Sequence, residues 1–179
     1  MLVLVTGTPA AGKTTLAEAI ARHLGGCTVV GWDWVMASLT QYPTVQAAVS
    51  SLDWQKHRRL GWSLMWSVAE EQLRNGRSVV LDGVAREPEI EETRTLASRT
   101  LAAHCLVVAL ECRSEKRARQ RVAGRRRDIP GWHELTWEQV DRSRRSWATP
   151  KTADRVIETS NDPDPDEVAR ELLGRIGEL

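Results

Sequence analysis

The fold of this chain is decided by one stretch near its N-terminus, Gly7-Thr8-Pro9-Ala10-Ala11-Gly12-Lys13-Thr14-Thr15. The stretch fits the pattern G-x-x-x-x-G-K-[ST] at every fixed position. The apolar, β-branched run 2–5 precedes it and predicts a buried strand, and apolar residues at helical spacing follow it as far as Leu24. This order of strand, glycine-rich loop and helix predicts a loop that binds the phosphates of a nucleoside triphosphate.

Each part of this loop has its own task in holding a triphosphate. The two glycines allow a tight turn that presents several backbone N–H groups to one anion. The helix that follows adds the positive end of its dipole. We expect Lys13 to contact the β- and γ-phosphate oxygens and the Thr14 hydroxyl to hold Mg²⁺. The predicted nucleotide site therefore includes all of residues 7–15.

Length and composition limit the class of protein. The 179 residues suit one domain, 1–179, and the net charge of +1 gives no overall attraction to nucleic acid or to a membrane. No apolar run approaches the ~20 residues that span a bilayer. The three cysteines lack metal-ligand spacing and agree with buried thiols in a reducing compartment. We therefore expect a cytoplasmic protein.

Strands and helices alternate along the sequence. Further strands are predicted at 27–30, 77–82, 103–110 and 154–159, with helices that begin near residues 34, 52, 88, 114, 137 and 165 and a turn at 41–44. Such alternation predicts right-handed crossovers and a parallel sheet of five strands with helices on both faces. Because ligands of such folds bind at the carboxyl ends of the strands, side chains at those ends are candidates for the rest of the site.

Asp82 ends the third predicted strand. We expect its carboxylate to bind Mg²⁺, directly or through water, opposite Thr14. A turn or helix-cap aspartate before Gly83 is the alternative. Arg86 follows on the same edge of the sheet and is a candidate for holding a phosphate or an acidic group of the substrate. For Arg86 the alternative is a solvated arginine paired with a neighbouring glutamate.

Asp33 follows the second predicted strand and is the candidate catalytic base. A carboxylate at this place can orient the hydroxyl group of a phosphoryl acceptor and take its proton. The alternative is an N-cap for a helix that begins at Trp34.

A dense group of basic residues follows the fourth strand: Arg113, Lys116, Arg117, Arg119, Arg121, Arg125, Arg126 and Arg127. Arg117, Arg121 and Arg125 share one helical face, so we expect these three to point towards the triphosphate. A lid over about 124–136 would let its arginines stabilise the transferred phosphoryl group. A solvated helix face and a patch for nucleic-acid phosphates are the alternatives. We make no prediction about where the side chains of Arg126 and Arg127 point.

The aromatic residues are eight Trp, one Tyr and no Phe. Trp32 and Trp34 flank the candidate base, and Trp62 and Trp66 lie four residues apart on the long predicted helix. Rings beside a catalytic acid would form a flat apolar pocket for an acceptor that carries a ring. Packing in the core is the alternative, and the lack of Phe strengthens it.

Together these residues resemble the P-loop kinases that phosphorylate small hydroxyl-bearing molecules. The closest pattern is the group that contains chloramphenicol phosphotransferase, zeta-toxin-type sugar-nucleotide kinases and the kinase half of polynucleotide kinase. The resemblance implies a three-layer, nucleoside-kinase-like fold with strand order 2-3-1-4-5, a lid after the fourth strand, and ATP or GTP with Mg²⁺. It also implies that Asp33 acts on the acceptor hydroxyl and that Arg121 and Arg125 are lid arginines.

A second resemblance concerns the residues after the third strand. Asp82-Gly83 with Arg86 is similar to the D-G-x-x-R motif of nucleotide kinases, although Val84-Ala85 replace the usual aromatic-proline pair. Some relatives of the group are self-resistance enzymes that phosphorylate antibiotics, nucleoside antibiotics among them, and the tryptophans on the acceptor side are compatible with such a substrate.

The sequence thus predicts a cytoplasmic phosphotransferase that moves a γ-phosphate to a hydroxyl of a small molecule. The predicted catalytic residues are Lys13, Asp33, Arg121 and Arg125. Two alternatives stay open. One is a kinase for the 5′-hydroxyl ends of nucleic acids, which the arginines favour and the net charge disfavours. The other is a nucleotide-dependent switch that transfers nothing.

Overall fold

The structure, a computed structural model, describes residues 1–102 and 104–174. The elements within them are, in chain order, β1 (Leu2–Gly7), α1 (Lys13–His23), β2 (Thr28–Gly31), α2 (Trp32–Thr40), α3 (Pro43–Ser50), α4 (Trp54–Arg74), β3 (Val79–Asp82), α5 (Glu87–Arg99), β4 (Cys105–Glu111), α6 (Glu115–Gly124), α7 (Trp137–Ser146), β5 (Arg155–Glu158) and α8 (Pro165–Gly174). The five strands are parallel and lie in the order β2-β3-β1-β4-β5, which confirms the predicted fold class.

Each face of the sheet supports its own hydrophobic core. Leu2 and Leu4 of β1 point to one face, where α4 and α5 cover them, and Val3 and Val5 point to the other face, beneath α1 and α8. All of β1 is buried, as expected for a strand with helices on both sides. The result is three layers, with the phosphate-binding stretch between the central strand β1 and the helix α1.

The register of the strands brings the candidate residues to one edge. Asp82 lies level with Val5 of β1 and with Gly31 of β2, and Gly7 lies level with Leu110 of β4. The chain segments that follow β1, β2, β3 and β4 therefore leave the sheet at a common carboxyl edge.

Two local predictions differ from the structure. The helix after β2 begins at Trp32, directly after the strand, because the extended backbone of Gly31 occupies the N-cap position. The predicted turn at 41–44 leads into a further helix, α3, where Pro43 stands in the first turn and suits the fixed backbone angle required there. The predicted start of the fourth strand, Ala103, lies outside the described residues.

The segment 125–136 joins α6 to α7 without regular structure, and we call it the α6–α7 loop. Ile129 in its middle is 8% exposed and anchors the loop to the protein. The two flanking helices begin with side-chain caps, Ser114 for α6 and Thr136 for α7. None of the described helices is both long enough and apolar enough to cross a membrane.

Candidate active site

The phosphate-binding stretch has the backbone that its glycines predict. Gly7 has a φ of +144°, and a Cβ atom there would lie 2.3 Å from the Leu110 carbonyl oxygen, so no larger residue fits. Gly12 has a φ of +93° and is the N-cap of α1, with no side chain capping the helix. The first-turn N–H groups of α1 therefore remain available to an anion.

Lys13, Thr14 and Asp82 meet at the start of α1. The Thr14 hydroxyl donates a 2.6 Å hydrogen bond to Asp82 Oδ2, and Lys13 Nζ donates to the Thr8 carbonyl over 3.0 Å. Burial lowers the pKa of Lys13, and the nearby Asp82 carboxylate counteracts this shift. Burial also raises the pKa of Asp82, against the attraction of Lys13 and the bond from Thr14.

These oxygens fit a magnesium site. A hydroxyl and a carboxylate are hard donors of the kind that Mg²⁺ prefers, and the ion usually takes one or two protein ligands beside phosphate and water. The part of the chain that the structure describes has no cluster of three or more His, Cys, Asp or Glu that could hold a metal ion by itself. A metal at Thr14 and Asp82 would therefore depend on nucleotide oxygens.

A cavity of about 610 Å³ opens beside the phosphate-binding stretch. Its wall includes residues 10–16 and, from α6 and the segment after it, Arg117, Arg121 and Arg125. The structure thus brings all three of the arginines assigned to one helical face to the cavity. Their individual contacts, however, differ sharply.

Arg121 is held in place by the protein itself. Its Nη1 donates to the Ala10 carbonyl and to the Thr159 hydroxyl, each over 3.1 Å, and its Nη2 contacts the Asp162 carboxylate at 2.7 Å. The Thr159 hydroxyl in turn donates to the Ala11 carbonyl over 2.9 Å. Arg117 also pairs with Asp162. These contacts fix the phosphate-binding stretch against the segment after β5, a bracing role that the sequence did not predict for Arg121.

Arg125 has the opposite character. Burial and the neighbouring Arg127 both lower the pKa of Arg125, while Asp33 and Asp82 counteract them from a distance. No described residue forms a hydrogen bond or an ion pair with its guanidinium. A partly buried cation that lines this cavity, and that has no bound partner in the part of the chain that the structure describes, is suited to receive an anion.

Asp33 lies in the first turn of α2 and does not cap it, because Gly31 is the N-cap and no side chain bonds to the first turn. The N-cap alternative for Asp33 is therefore wrong. The Asp33 carboxylate pairs instead with Arg127 of the α6–α7 loop. Its charge also opposes the lowering of the pKa of Lys13 that burial causes. Asp33 thus faces the same charged centre as the phosphate-binding stretch.

An aromatic wall stands beside Asp33. The ring of Trp32 meets His57 of α4 edge-on with centroids 5.6 Å apart, and Trp132 of the α6–α7 loop at 6.0 Å. The backbone of α4 comes close to this wall, since a Cβ atom on Gly61 would lie 2.2 Å from Trp32 Nε1. The Thr40 hydroxyl at the end of α2 donates to the Gly131 carbonyl over 3.4 Å. The loop therefore packs against α2.

The other predicted substrate-binding tryptophans lie in different surroundings. Trp62 is 1% exposed in the core, where its ring lies 5.7 Å from that of Trp66, and Trp66 donates its N–H to Thr93 on α5. Trp34 is 56% exposed on the outside of α2. The position of each tryptophan around the helix α2 or α4 determines how far its ring is buried or exposed.

Arg86 is also exposed, and its contact with Glu89 is made by the backbone N–H. The Glu89 carboxylate forms its ion pair with Arg58 of α4, so the predicted pairing of the Arg86 guanidinium with Glu89 is replaced by another arginine.

Sequence reasoning gave no individual role to several residues of this centre, chiefly Arg127, Trp132, Glu134, Thr159 and Asp162. Signals existed for most of them: the first three lie in the predicted lid, where Arg127 belongs to the basic run 125–127, and Thr159 ends the fifth predicted strand. Asp162 lies in a loop without a motif.

The parallel sheet and the stretch between β1 and α1 define a P-loop nucleotide-binding fold. The chain belongs to the AAA_33 family, described as an AAA domain, whose model matches residues 2–150. None of the curated proteins compared with the chain matches it.

Several solved structures share the fold. A gluconokinase from Sinorhizobium meliloti 1021 is 18% identical, with 98% of this chain and 91% of that chain covered and a TM-score of 0.62. A shikimate kinase from Bacteroides thetaiotaomicron is 18% identical, with 100% and 99% covered and a TM-score of 0.65. The Mycobacterium tuberculosis APS kinase, solved with AMPPNP and APS, is 15% identical, with 98% and 96% covered and a TM-score of 0.64.

Proposed function

We propose that this chain is a kinase that moves the γ-phosphoryl group of ATP or GTP to a hydroxyl of a small molecule. One observation carries the proposal: the Thr14 hydroxyl of the phosphate-binding stretch donates a 2.6 Å hydrogen bond to Asp82 at the end of β3. The two candidate metal ligands thus meet beside Lys13, and the charge of the candidate base Asp33 opposes the lowering of the pKa of that lysine. That the three solved structures described above are all named as kinases supports the same conclusion.

The residues divide the reaction between them. The acceptor oxygen attacks the γ-phosphorus, its proton passes to the Asp33 carboxylate, and the bond from the γ-phosphorus to the β–γ bridging oxygen breaks. Lys13 and Arg125 stabilise the negative charge on the transferred group. Mg²⁺ held by Thr14 and Asp82 would neutralise charge on the β- and γ-phosphate oxygens. The α6–α7 loop serves as the lid of the proposed site.

The acceptor lies between α2 and the α6–α7 loop in this proposal. Trp32, Trp132 and His57 offer aromatic surface beside the Asp33 carboxylate. Such a surface suits a hydroxyl-bearing molecule with a ring, held by its flat face or edge. Nucleoside-type antibiotics belong to this chemical class, and so do many metabolites.

Most of the basic residues that favoured the nucleic-acid alternative form ion pairs within the protein. Of the eight basic residues of the run, five form ion pairs within the protein: Arg113, Arg117, Arg119, Arg121 and Arg127. A surface that binds nucleic-acid phosphates needs cations that are free to replace counterions.

A screen for transfer tests the proposal directly. The protein is incubated with Mg²⁺ and ATP or GTP and with a panel of hydroxyl-bearing metabolites, nucleosides and antibiotics, and each acceptor is followed by mass. We expect a phosphorylated product for at least one ring-bearing acceptor. A 5′-hydroxyl oligonucleotide serves as the competing acceptor. Its phosphorylation, with affinity that falls steeply with salt, would favour the nucleic-acid alternative.

A further inference from the structure

The α6–α7 loop carries two arginines whose surroundings differ. The guanidinium of Arg125 has no bound partner among residues 1–102 and 104–174, whereas the Arg127 side chain is 9% exposed and is hydrogen-bonded through all three of its nitrogens. A guanidinium has five N–H donors in a fixed planar arrangement, so the donors that are already hydrogen-bonded limit which further groups it can bind. The two arginines therefore cannot have the same task.

The loop itself holds Arg127. Its backbone N–H donates to Glu134 Oε1 over 2.8 Å, its Nε to Glu134 Oε2 over 3.1 Å, and its Nη2 to the His133 carbonyl over 2.9 Å. The remaining nitrogen, Nη1, donates to Asp33 Oδ2. Contacts within residues 127–134 thus hold the Arg127 side chain, and its Nη1 is the nitrogen that reaches Asp33.

Asp33 is bound through one oxygen only. Arg127 occupies Oδ2, no described residue donates a hydrogen bond to Oδ1, and the side chain is 36% exposed. A carboxylate held at one oxygen keeps a fixed plane while its other oxygen remains open to a substrate. Charged neighbours at this centre are Lys13, Asp82, Arg125 and Arg127.

We infer that Arg127 is a positioning residue, which orients Asp33 so that Oδ1 faces the acceptor hydroxyl. The inference rests on the proposed function, in which Asp33 is the base. It assigns Arg125 to the phosphoryl group and Arg127 to the base, and it makes the orientation of Asp33 depend on the α6–α7 loop. Trp132 against Trp32 and Gly131 against Thr40 give that loop two further anchors on α2.

Hydrolysis of Mg·ATP without added acceptor tests the inference, with water in place of the alcohol. Arg127→Ala is expected to lower kcat by about 10–100-fold, because a misplaced catalytic group costs up to about 10²-fold. The KM for ATP should change by less than about twofold, since Arg127 is not among the residues that line the cavity beside the phosphate-binding stretch. Arg127→Lys should recover part of the loss, because an ammonium can still donate to Oδ2. Arg126→Ala, at the exposed neighbouring position, is the matched control and should behave as the unmodified protein.

A double variant separates positioning from an independent effect. Asp33→Asn with Arg127→Ala should turn over no more slowly than Asp33→Asn alone, because residues that act through one group are not additive. Hydrogen exchange of residues 125–136 provides a readout that needs no turnover. Arg127→Ala and Asp33→Asn should each speed exchange in this loop, and Arg126→Ala should not.

Several outcomes would overturn the inference. They are a raised KM for ATP with kcat unchanged in Arg127→Ala, a double variant slower than Asp33→Asn, or loop exchange that is the same in all variants. Failure of the proposed function looks different: either no acceptor is phosphorylated by the unmodified protein, or Asp33→Asn keeps full transfer, whatever Arg127 does. If hydrolysis is too slow to time, the exchange experiment decides alone.

Discussion

In the proposed site, residues 7–15 supply the nucleotide half as one contiguous stretch, whereas the acceptor half takes Asp33 from α2, His57 from α4 and Arg127 from the α6–α7 loop. Backbone N–H groups, a lysine and a threonine suffice for the first half, and their spacing is set along the chain. The second half exists only after three separate segments have packed together. Variants on the two sides should therefore fail in different ways.

The largest effect is expected on the nucleotide side. Lys13→Ala removes the cation that balances charge on the transferred group, and rates should fall by about 10³–10⁵-fold, as for the loss of other transition-state cations of phosphoryl transfer. Steady-state transfer measures this, with Lys56→Ala on the exposed face of α4 as the control. Normal turnover in Lys13→Ala would sink the kinase proposal.

Asp33→Asn probes the acceptor side. The amide keeps the shape but cannot take a proton, so transfer should fall by about 10²–10⁴-fold, the usual contribution of a general base. Nucleotide affinity, measured by calorimetry, should stay unchanged, because Asp33 comes from α2 and not from residues 7–15. Equal losses of nucleotide binding and transfer would mean that the two halves are not separate.

Asp82→Asn changes a candidate metal ligand on the nucleotide side, and we expect a smaller effect on activity. An amide is a weaker ligand for a hard cation, so half-maximal activity should need about 10–100-fold more Mg²⁺, within the range known for perturbed metal sites. Titration of Mg²⁺ at fixed ATP measures this shift. The Mg²⁺ requirement of Asp33→Asn should not move, which gives the two acids distinct signatures.

Gly61→Ala should strain the aromatic wall beside Asp33, on the acceptor side. The new methyl would lie 2.2 Å from Trp32 Nε1, and overpacking of this kind costs about 1–3 kcal/mol in the free energy of unfolding. Gly124→Ala, where a Cβ atom meets nothing within 4 Å, is the matched control. Denaturant unfolding measures both variants. Equal free energies of unfolding for the two variants would show that α4 can move away from Trp32 with little loss of stability.

The smallest effect is expected where α1 meets α8, behind the nucleotide side. Hydrogen bonding to Arg22 lowers the pKa of Asp166 below its ordinary 3.8. The charged pair therefore adds a little stability above that pH and loses it as the pH falls through the lowered pKa. Melting temperatures of the unmodified protein and of Asp166→Asn should differ slightly at neutral pH and converge in acid.

The sequence predicted most of the fold because its signals are local. Apolar runs of strand length alternate with helical periods, and Gly7, Gly12 and Lys13 stand at fixed offsets between the first strand and helix. Errors arose at Trp32, where a strand passes straight into a helix, and at Pro43, where a turn continues as α3. In both cases a short stretch had two acceptable local structures: Gly31 serves as the N-cap of α2, and Pro43 stands in the first turn of α3.

By itself the sequence determined the parallel sheet, the phosphate-binding stretch and the presence of acids at the ends of β2 and β3. Only the tertiary structure decided the contacts of each arginine: Arg121 braces the loop at Ala10, Arg125 has no bound partner among the described residues, and Arg127 holds Asp33. All three have the same chemistry and lie within seven positions of one another. Their tasks differ because a guanidinium is directed by the acceptors around it, and those acceptors come from distant parts of the chain.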